Sequence, residues 1–328
     1  MAAQYINSTN IPLALAVYLA SDYYDYNAEP NTISATTLLK PLRQIILSAR
    51  IPQESGAINL VDMVKNRMGA AIHDAIETAW KTNKENALAA LGYPKRVIDR
   101  VVVNPTPEEV EANPDLIPVY MEQRMTRKVG KWTVTGKFDF VGEGKVQDFK
   151  TTSVFTYSNQ INAEKYIKQG SIYRWLDPKK ITDDLMEIHY IFTDWSANRA
   201  KGSATYPQSP TLTQKFNLMS LEEADRFIKR KLELIEQYWD APEEDIPHCT
   251  DDELWRSDPV WKYYASADAL RSSKNFNNAA EAYMHMATKG HKGKVVEFPG
   301  TVKACQYCSA FAVCSQKDQL VMSGQLVL

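Results

Sequence analysis

The sequence has few cysteines and glycines, little excess charge and no long apolar run. Its 328 residues include 4 Cys, 13 Gly and 16 Pro, which excludes collagen-like, low-complexity and disulfide-scaffold proteins. The longest apolar run, residues 11–20, is about half the roughly 20 residues that a membrane-spanning helix needs, and no Lys or Arg precedes it. We therefore predict a core helix there, not a signal peptide, in a cytoplasmic protein without a membrane-spanning segment.

The net charge of the chain is too small to indicate a partner. With 38 basic and 40 acidic residues the net charge is −2, so any contact with nucleic acid must come from a local basic surface. Two groups of basic residues are candidate phosphate contacts, one on strand-like and one on helix-like sequence: Arg124, Arg127, Lys128 and Lys131, and Arg226, Lys229, Arg230 and Lys231. The alternative is that both groups are solvated faces.

The pattern of apolar residues predicts helices, then a sheet, then further helix and strand. Helical periodicity covers residues 33–49, with Ser34 as a cap and Pro41 as a kink, and residues 64–82. Short alternating segments predict antiparallel strands at 119–129, 131–135, 137–141 and 145–150. A helix at 162–176, a strand at 185–192 and a helix at 221–239 follow, whereas residues 242–300 lack clear periodicity. This order predicts mixed α and β layers around one core.

Two acidic residues and a lysine fall on a predicted hairpin. Alternation along a strand puts Asp148 and Lys150 on one face, and a two-residue loop at Glu143-Gly144 places Asp139 directly opposite Asp148. Their Cβ atoms are then about 4.5–5.5 Å apart, where two carboxylates repel by roughly 3 kcal/mol at an effective dielectric of about 20. A divalent cation with Lys150 beside it would offset this repulsion. The alternatives are a three-residue loop that separates the two acids, or a solvated hairpin face.

The four cysteines suggest a metal site. Cys305, Cys308 and Cys314 form a C-x2-C-x5-C motif, and Cys249 stands alone. Disulfides are not expected in a cytoplasmic chain, so the clustered thiols favour a metal, either as an iron–sulfur cluster or as tetrahedral zinc. His248 beside Cys249 also allows a mixed zinc site. Ordinary buried thiols and a regulatory redox sensor are the remaining alternatives.

Several motifs together resemble a known nuclease family. They are Gly69-Ala70-Ala71-Ile72-His73 with Glu77, Gly136-x-x-Asp139, Asp148-Phe149-Lys150-Thr151, and Gln169-x-x-x-Tyr173. In this order they resemble the RecB-like branch of the PD-(D/E)XK nuclease superfamily, and residues 33–39 are similar to the stretch that opens its nuclease domain. The C-terminal cysteine motif is similar to that of the iron–sulfur members, including AddB-type nucleases and CRISPR-associated RecB-like exonucleases. No Gly-x-x-x-x-Gly-Lys-Ser/Thr loop is present, so the chain resembles the stand-alone, bacteriophage-type members.

The resemblance implies a fold and a domain arrangement. The expected fold class is α/β, with a restriction-endonuclease-like core in which helices flank a central mixed sheet. Residues 1–60 would form a helical N-terminal segment packed on the core, and residues 61–240 the nuclease core. Residues 241–328 would form a metal-cluster region whose tail is tethered by its cysteines.

The resemblance also implies roles for individual residues. His73, Asp139, Asp148 and the Phe149 carbonyl would hold Mg2+ or Mn2+, Lys150 would orient the attacking water, and Gln169 and Tyr173 would contact nucleic acid or steady the lysine. Without the resemblance, His73 is a boundary histidine beside the apolar stripe of its helix, and Gln169 and Tyr173 are part of an amphipathic face.

The cysteine motif implies a [4Fe-4S] cluster on Cys249, Cys305, Cys308 and Cys314, with structural Zn2+ as the alternative. The iron–sulfur relatives usually place their first cysteine beside the opening helix, but residues 40–43 contain none. Cys249 is the thiol left to serve as a fourth ligand.

The implied function is a metal-dependent deoxyribonuclease, expected to be an exonuclease acting on DNA ends or single strands in recombination, repair or replication. Hydrolysis would leave a 5′-phosphate. Its partners would be DNA and recombination or replication proteins, in the bacterial host cytosol if the protein is viral. The alternative is a non-catalytic DNA-binding or recombination-scaffold module that keeps the fold and the cluster.

Overall fold

The computed structural model describes residues 5–21, 29–52 and 58–327, which form two units. Unit 1 contains the described residues within Met1–Leu39 and Gly56–Leu232, and unit 2 those within Lys40–Ser55 and Glu233–Leu328. The domain boundaries expected near residues 60 and 240 stay a prediction.

The strands and helices are as follows. The strands are β1 (Tyr5–Ile6), β2 (Thr32–Ser34), β3 (Ile58–Asn59), β4 (Val101–Val103), β5 (Ile117–Met121), β6 (Arg124–Val129), β7 (Trp132–Lys137), β8 (Phe140–Gly142), β9 (Lys145–Thr152), β10 (Leu185–Phe192), β11 (Thr211–Asn217), β12 (Val260–Tyr264), β13 (Lys274–Phe276) and β14 (Lys294–Phe298). The α-helices are α1 (Leu13–Ala20), α2 (Ala35–Leu38), α3 (Leu42–Ala49), α4 (Leu60–Ala90), α5 (Lys95–Ile98), α6 (Pro107–Ala112), α7 (Val154–Ser158), α8 (Ala163–Leu176), α9 (Ala197–Gly202), α10 (Leu221–Tyr238), α11 (Ala279–Thr288) and α12 (Ser315–Met322).

Unit 1 is built on a six-stranded mixed sheet of order β11-β10-β9-β8-β5-β4. Strands β5, β8 and β9 are antiparallel neighbours, and α8 precedes β10, which lies parallel to β9. On one face, Ile76 and Trp80 of α4 pack against Met121 and Phe140. On the other face, Tyr166 of α8 packs against aromatic residues of β10 and β11. The predicted α/β fold class, a central mixed sheet flanked by helices, is confirmed.

The hairpin between β8 and β9 has the predicted register. Gly142 pairs with Lys145 and Phe140 with Gln147, so the loop is the two residues Glu143-Gly144. Both have positive φ, 53° and 74°, as a type I′ turn requires. This register directs Asp148 and Lys150 to the face opposite that of Phe149.

Two predicted strands are each interrupted. Residues 119–129 form the end of β5 and all of β6, with a break at Glu122 and Gln123, and residues 137–141 are broken at Phe138 and Asp139. Beyond these breaks, β6 and β7 join β2 in a separate sheet of order β2-β7-β6. The residues on both sides of each break are typical of strands, and the change of sheet depends on nonlocal pairing of β7 with β2, so the expected strands did not include it.

The helix predicted at residues 33–49 is wrong as a single element. Residues 32–34 are strand β2, and Ser34 caps the short helix α2 by accepting the N–H of Thr37 at 3.1 Å. The chain then passes into α3 after Pro41, which has no N–H and disfavours helical backbone in the residue before it. The predicted cap is confirmed, and Pro41 separates two helices.

The apolar run at residues 11–20 forms a helix, but not a core helix. Leu19 of α1 is 1% exposed, whereas Leu13 is 79% and Val17 is 58% exposed. The prediction that this run is buried is therefore wrong for most of its residues. In the part of the chain that the structure describes, no helix combines the length and apolarity needed to cross a membrane.

Unit 2 contains regular structure where the sequence showed no periodicity. Strands β12, β13 and β14 form an antiparallel sheet of order β13-β12-β14. On one of its faces Tyr263 and Phe276 pack with Ala282 of α11. These strands are three to five residues long, too short for a clear two-residue period in the sequence.

Candidate active site

Two strand interruptions create the candidate site in unit 1. The chain passes from β5 to β6 at Glu122 and from β7 to β8 at Asp139, and the backbone N–H of Glu122 donates to the carbonyl of Asp139 at 3.2 Å. Glu122 has a φ of +51°, a left-handed backbone that costs a residue with a Cβ about 1–2 kcal/mol. The interruptions therefore bring two acidic side chains to the same point of the fold.

The imidazole of His73 joins these two carboxylates in a group of three side chains that could bind a metal ion. His73 Nδ1 lies 3.1 Å from Asp139 Oδ2, and one ligand atom each from His73, Glu122 and Asp139 lie within 4.8 Å of one another. Protein N and O ligands lie about 2.0–2.2 Å from a small divalent ion, so two donors on opposite sides of it are about 4 Å apart. The three side chains therefore fit a divalent metal ion in both chemistry and spacing.

An ion pair between a buried carboxylate and a half-buried lysine lies beside this group. The Lys150 ammonium contacts the carboxylate of Asp148, which is 3% exposed. Burial raises the pKa of Asp148, and the charge of Lys150 opposes that rise. Burial alone would lower the pKa of Lys150, but Asp148 and then Asp139 outweigh it, so its pKa is raised and the ammonium stays protonated.

The charges of the group also shift one another. The hydrogen bond to Asp139 raises the pKa of His73 against the effect of burial. Burial acts to raise the pKa of Asp139, yet the His73 hydrogen bond and the Lys150 charge lower it overall. Burial raises the pKa of Glu122, with Lys137 as the opposing cation. Acidic and basic groups with strongly perturbed pKa values in one cleft are typical of a catalytic site.

These side chains line a cleft of about 580 Å³ in unit 1. Its wall carries the basic residues Lys65, Arg67, Lys137 and Lys150, and the acidic residues Asp74, Glu122 and Asp139. Basic groups around a carboxylate-rich metal-binding group suit a ligand that carries negative charge and can bind through a divalent cation.

Phe149 has a place in the site through its backbone and its ring. Its N–H donates to Asp139 Oδ2 at 3.3 Å, which fixes the carboxylate against β9. Its ring meets the His73 ring edge-on at 6.1 Å and stacks on His189 at 5.6 Å. The expected role of its carbonyl as a metal ligand stays a prediction.

Gln169 and Tyr173 lie on α8 and bond to each other. Both are buried, and the Gln169 amide donates to the Tyr173 hydroxyl at 2.8 Å. A Cβ on Gly136 would lie 2.7 Å from Leu176 Cδ1 and 2.9 Å from Tyr173 Cε1, which explains why glycine suits this position. Two of the motifs, Gly136-x-x-Asp139 and Gln169-x-x-x-Tyr173, are thus in contact.

The structure gathers five of the predicted residues into one site and adds one. His73, Asp139, Asp148, Phe149 and Lys150 are linked by the contacts above. Glu122 was missed, because its place in the site depends on the strand interruption. One available signal was that Tyr120 and Met121 are consecutive large apolar residues, which breaks strict alternation just before it.

The remaining motif residue of α4, Glu77, pairs with Lys81 of the same helix at 2.5 Å. The stripe predicted for this helix is partly wrong, since Met68, Ala75 and Ala79 are exposed. Gly69, Ile72, His73 and Ile76 are less exposed than those three. The His73 side chain is 25% exposed and contacts Asp139, as expected of a boundary histidine with a hydrogen-bond partner.

The candidate phosphate contacts have several partners within the fold. The Arg127 guanidinium lies 4.2 Å from the Trp175 ring, and Lys229 pairs with Asp225 at 2.7 Å. Arg127, Arg226 and Lys229 line a second recess of about 570 Å³, which Glu222 and Asp225 also line. Arg127 and Lys229 therefore contribute to packing within the fold, through Trp175 and Asp225 respectively.

The four cysteines all lie in unit 2, and all four thiols are free. Cys249 and Cys305 pack with Leu254 and Leu320, whereas Cys308 and Cys314 pack with another apolar group around Ile46. Burial raises the pKa of the Cys249 thiol to about 12, with Glu253 and the other three cysteines adding to the rise.

The spacing of these thiols bears on the choice of metal. Two sulfurs on one zinc are about 3.8 Å apart, since each Zn–S bond is about 2.3 Å. Within residues 5–21, 29–52 and 58–327, no three cysteine sulfurs lie within 4.8 Å of one another. A preassembled single-zinc site is therefore not present there. A four-iron cluster spreads its thiolates further apart, since each sulfur binds a different iron.

Comparison with solved structures gives distant similarities. No family model and no curated protein matches the sequence. The chain is similar to a crystal structure titled SSO0001, with 15% identity and a TM-score of 0.39, over 64% of this chain and 79% of that one. It is also similar to a phage-related exonuclease from Haemophilus somnus 129PT, with 16% identity and a TM-score of 0.29, over 64% of this chain and 93% of that one. At these TM-scores neither similarity carries weight, and function must be inferred from the site itself.

Proposed function

We propose that this protein is a metal-dependent deoxyribonuclease that hydrolyses DNA phosphodiesters as an exonuclease. The observation that carries the proposal is the group His73, Glu122 and Asp139, within 4.8 Å of one another and beside the Asp148–Lys150 pair. A scaffold that only bound DNA would have no reason to hold Glu122, Asp139, an imidazole and a lysine together in one cleft, with the buried Asp148 paired to that lysine. The motif order of the RecB-like nucleases supports the same function.

Each residue of the site has a role in this proposal. His73, Glu122 and Asp139 would hold Mg2+ or Mn2+, and the expected role of Asp148 as a further ligand stays a prediction. When bound, the ion polarises a phosphodiester and lowers the pKa of a coordinated water. The Phe149 N–H holds the Asp139 carboxylate in place. Asp148 keeps Lys150 protonated and fixes its position.

The protonation of Lys150 decides which role it takes. Because its pKa is raised, the side chain is a cation at neutral pH and cannot accept a proton from water. It would instead orient the water by hydrogen bonding and offset the negative charge that develops on the phosphate. Gln169 and Tyr173 are buried and bonded to each other, so we assign them a positioning role.

We also propose that Cys249, Cys305, Cys308 and Cys314 hold a [4Fe-4S] cluster in unit 2. All four are free thiols in one unit, and each of the other three affects the pKa of Cys249. The Nε–H of Arg43 donates to Cys314 Sγ at 3.4 Å, a contact that suits a thiolate ligand. No three of these sulfurs lie within 4.8 Å of one another among the described residues, so the choice of the cluster over structural zinc rests on the resemblance of the cysteine motif.

The partners follow from the substrate. DNA ends or single strands are the proposed substrates, in recombination, repair or replication in a bacterial cytosol. Association with recombination or replication proteins stays a prediction of the resemblance.

An assay on end-labelled DNA tests the nuclease proposal. Single-stranded and duplex substrates are incubated with Mg2+, Mn2+ or EDTA, using the native protein, Lys150→Ala and Lys145→Ala. Lys145 is the matched control, because it lies on the same strand but pairs with Glu143 and Asp183. We expect shortening from an end with either metal, none in EDTA, none for Lys150→Ala, and native rates for Lys145→Ala. DNA binding without cleavage in any metal would instead identify the non-catalytic module.

A further inference from the structure

The sheet of unit 2 has a second face that differs from the one packed by α11. Trp261, Tyr263, Phe276 and Val295 lie on the α11 side, with Tyr263 and Phe276 buried. Side chains alternate along strands and face the same way when directly opposite, so the cross-strand pairs define the other face. It carries Val260, Lys262, Tyr264, Asn275, Lys294, Val296 and Phe298. We call these seven residues the aromatic–lysine face.

The aromatic–lysine face combines two rings with two cations. Lys262 Nζ lies 4.0 Å from the ring centroid of Phe298, and Lys294 Nζ lies 5.4 Å from that of Tyr264. Phe298 is 39% exposed, and Lys294 is exposed. None of the seven residues is acidic. The face therefore offers apolar ring surface and uncompensated positive charge side by side.

The spacing of the two rings suits an extended chain of planar groups. Phe298 is directly opposite Val260, which is four residues from Tyr264 on β12. At 3.2–3.4 Å per residue, the two rings are roughly 13 Å apart along the strand direction. A lysine ammonium lies over one face of each ring and leaves the opposite face for stacking, so positive charge recurs with the same spacing as the aromatic surface.

We propose that the aromatic–lysine face binds single-stranded DNA. Bases stack on Phe298 and Tyr264, and the ammonium groups of Lys262 and Lys294 contact the phosphates. Aromatic rings accept any base, because every base has a π-face, and lysines follow the backbone electrostatically. The choice of DNA as the polymer rests on the proposed nuclease function, but binding at this face requires no cleavage.

The chemistry of the aromatic–lysine face predicts weaker binding of duplex DNA than of single-stranded DNA. In duplex DNA the bases are stacked on each other, so their faces are not available to Phe298 and Tyr264. Two lysines alone still attract duplex phosphates weakly. Removal of the rings must therefore weaken binding of a single strand and leave binding of a duplex unchanged.

Fluorescence anisotropy with the full-length chain tests this inference. The probes are labelled oligothymidylate and a labelled blunt duplex, both in EDTA so that metal-dependent cleavage does not occur. The variants are Tyr264→Ala, Phe298→Ala, their double, and Lys262→Gln with Lys294→Gln. Tyr283→Ala is the matched control, because Tyr283 is 53% exposed on α11, which packs on the other face of the sheet.

We expect each ring removal to weaken oligothymidylate binding by roughly 5- to 100-fold. The double lysine variant should lower the slope of log affinity against log salt by about 0.7 per lysine. Tyr283→Ala should bind as the native protein does, and Tyr264→Phe and Phe298→Tyr should restore binding. If an alanine variant does not fold, Tyr264→Leu and Phe298→Leu keep the apolar volume, remove the ring and carry the same expectation.

The outcomes separate this inference from the nuclease proposal. Native affinity in a folded double ring variant would overturn the binding face, even if the native protein cleaves DNA. Equal losses for single-stranded and duplex probes would also overturn it, since stacking would not be responsible. Loss of oligothymidylate binding in the double variant would support the face, even if the native protein cleaves no DNA in any metal.

Discussion

The backbone N–H of Glu122 donates to the carbonyl of Asp139 at 3.2 Å, which joins the two strand interruptions of unit 1. Each interruption directs an acidic side chain to one point, where His73 of α4 approaches. The two carboxylates are thus positioned by backbone that has left the regular sheet, while Asp148 and Lys150 are positioned by the regular strand β9. The site therefore combines Asp139 and Glu122, of which Glu122 has a left-handed backbone, with an ion pair on a regular strand.

The strained backbone of Glu122 leads to the first prediction. Glu122→Gly removes a metal ligand and also relieves the cost of a φ of +51°. We expect Mn2+ affinity, measured by calorimetry, to fall roughly tenfold or more, with a melting temperature in EDTA at or above that of the native protein. Glu122→Gln should weaken Mn2+ binding without that gain in stability.

Glu143 supplies the matched control for this prediction. It also has a positive φ, of 53°, but it lies in the β8–β9 turn and its side chain is 82% exposed. Glu143→Gly should therefore stabilise the protein and leave Mn2+ binding unchanged. Native Mn2+ affinity in Glu122→Gly would remove Glu122 from the ligand group.

The core of the site could be predicted from the sequence because it depends on local rules. The Glu143-Gly144 turn fixes the hairpin register, and strand alternation then groups Asp148 with Lys150. Helical spacing likewise places Gln169 next to Tyr173. In each case the partners lie within a few residues of each other or across one tight turn.

The features that sequence reasoning missed depend on distant contacts. Glu122 joins the site because β6 and β7 leave the main sheet, and β7 pairs with β2, whose sequence lies about a hundred residues earlier. The exposure of Leu13 and Val17 also follows from tertiary packing, which the apolarity of α1 does not determine. The sheet of unit 2 was missed because its strands are short and its pairing is nonlocal.

The pKa shifts of His73 and Asp139 lead to a prediction about how the stability of the protein in EDTA depends on pH. The pKa of His73 is raised, so its contribution to folding is fully present below its unfolded pKa of about 6.5 and is lost as pH rises through the folded value. The pKa of Asp139 is lowered, so its contribution is present above about 3.8 and is lost as pH falls through the folded value. The pair thus stabilises the protein most between about pH 4 and 6.5.

We therefore expect His73→Ala to lower the melting temperature more at pH 6 than at pH 9. His189→Ala is the control, because burial lowers the pKa of His189 and its ionisation favours unfolding as pH falls. The stability lost in His189→Ala, relative to the native protein, should therefore be greater at pH 9 than at pH 6. The same pH trend for both variants would contradict the His73–Asp139 interaction.

Close packing at Gly136 leads to a prediction about the interior. A Cβ there would lie 2.7 Å from Leu176 Cδ1 and 2.9 Å from Tyr173 Cε1, so Gly136→Ala must displace α8 side chains. We expect a loss of about 1–3 kcal/mol in the free energy of unfolding, and lower activity, as the Gln169–Tyr173 pair moves. Gly202→Ala is the control, since no atom lies within 4 Å of its added Cβ. Native stability of Gly136→Ala, measured in urea, would show that the helix moves away freely.

A buried arginine links α3 to the cysteine motif within unit 2. Arg43 is 2% exposed, and its guanidinium donates to the Ile246 carbonyl at 2.8 Å, to Ser315 Oγ at 3.1 Å and to Cys314 Sγ at 3.4 Å. It also pairs with the carboxylate of Glu243, which accepts the Ser315 N–H at 2.7 Å. The guanidinium therefore holds the backbone around Cys314 in place.

Arg43→Met should break this network and leave Glu243 without its cation. We expect a loss of about 1–3 kcal/mol in stability, because the buried Arg43 is the donor to the Ile246 carbonyl and to Ser315, while Glu243 is 28% exposed and stays partly solvated. Arg43→Lys keeps the charge but has fewer donors, so its loss should be smaller. If the thiols hold a cluster, iron per chain in anaerobically purified protein should fall in the same order, native above Arg43→Lys above Arg43→Met. Stability lost with native iron content would separate the packing role of Arg43 from the cysteine ligands, whereas native stability in Arg43→Met would contradict the network itself.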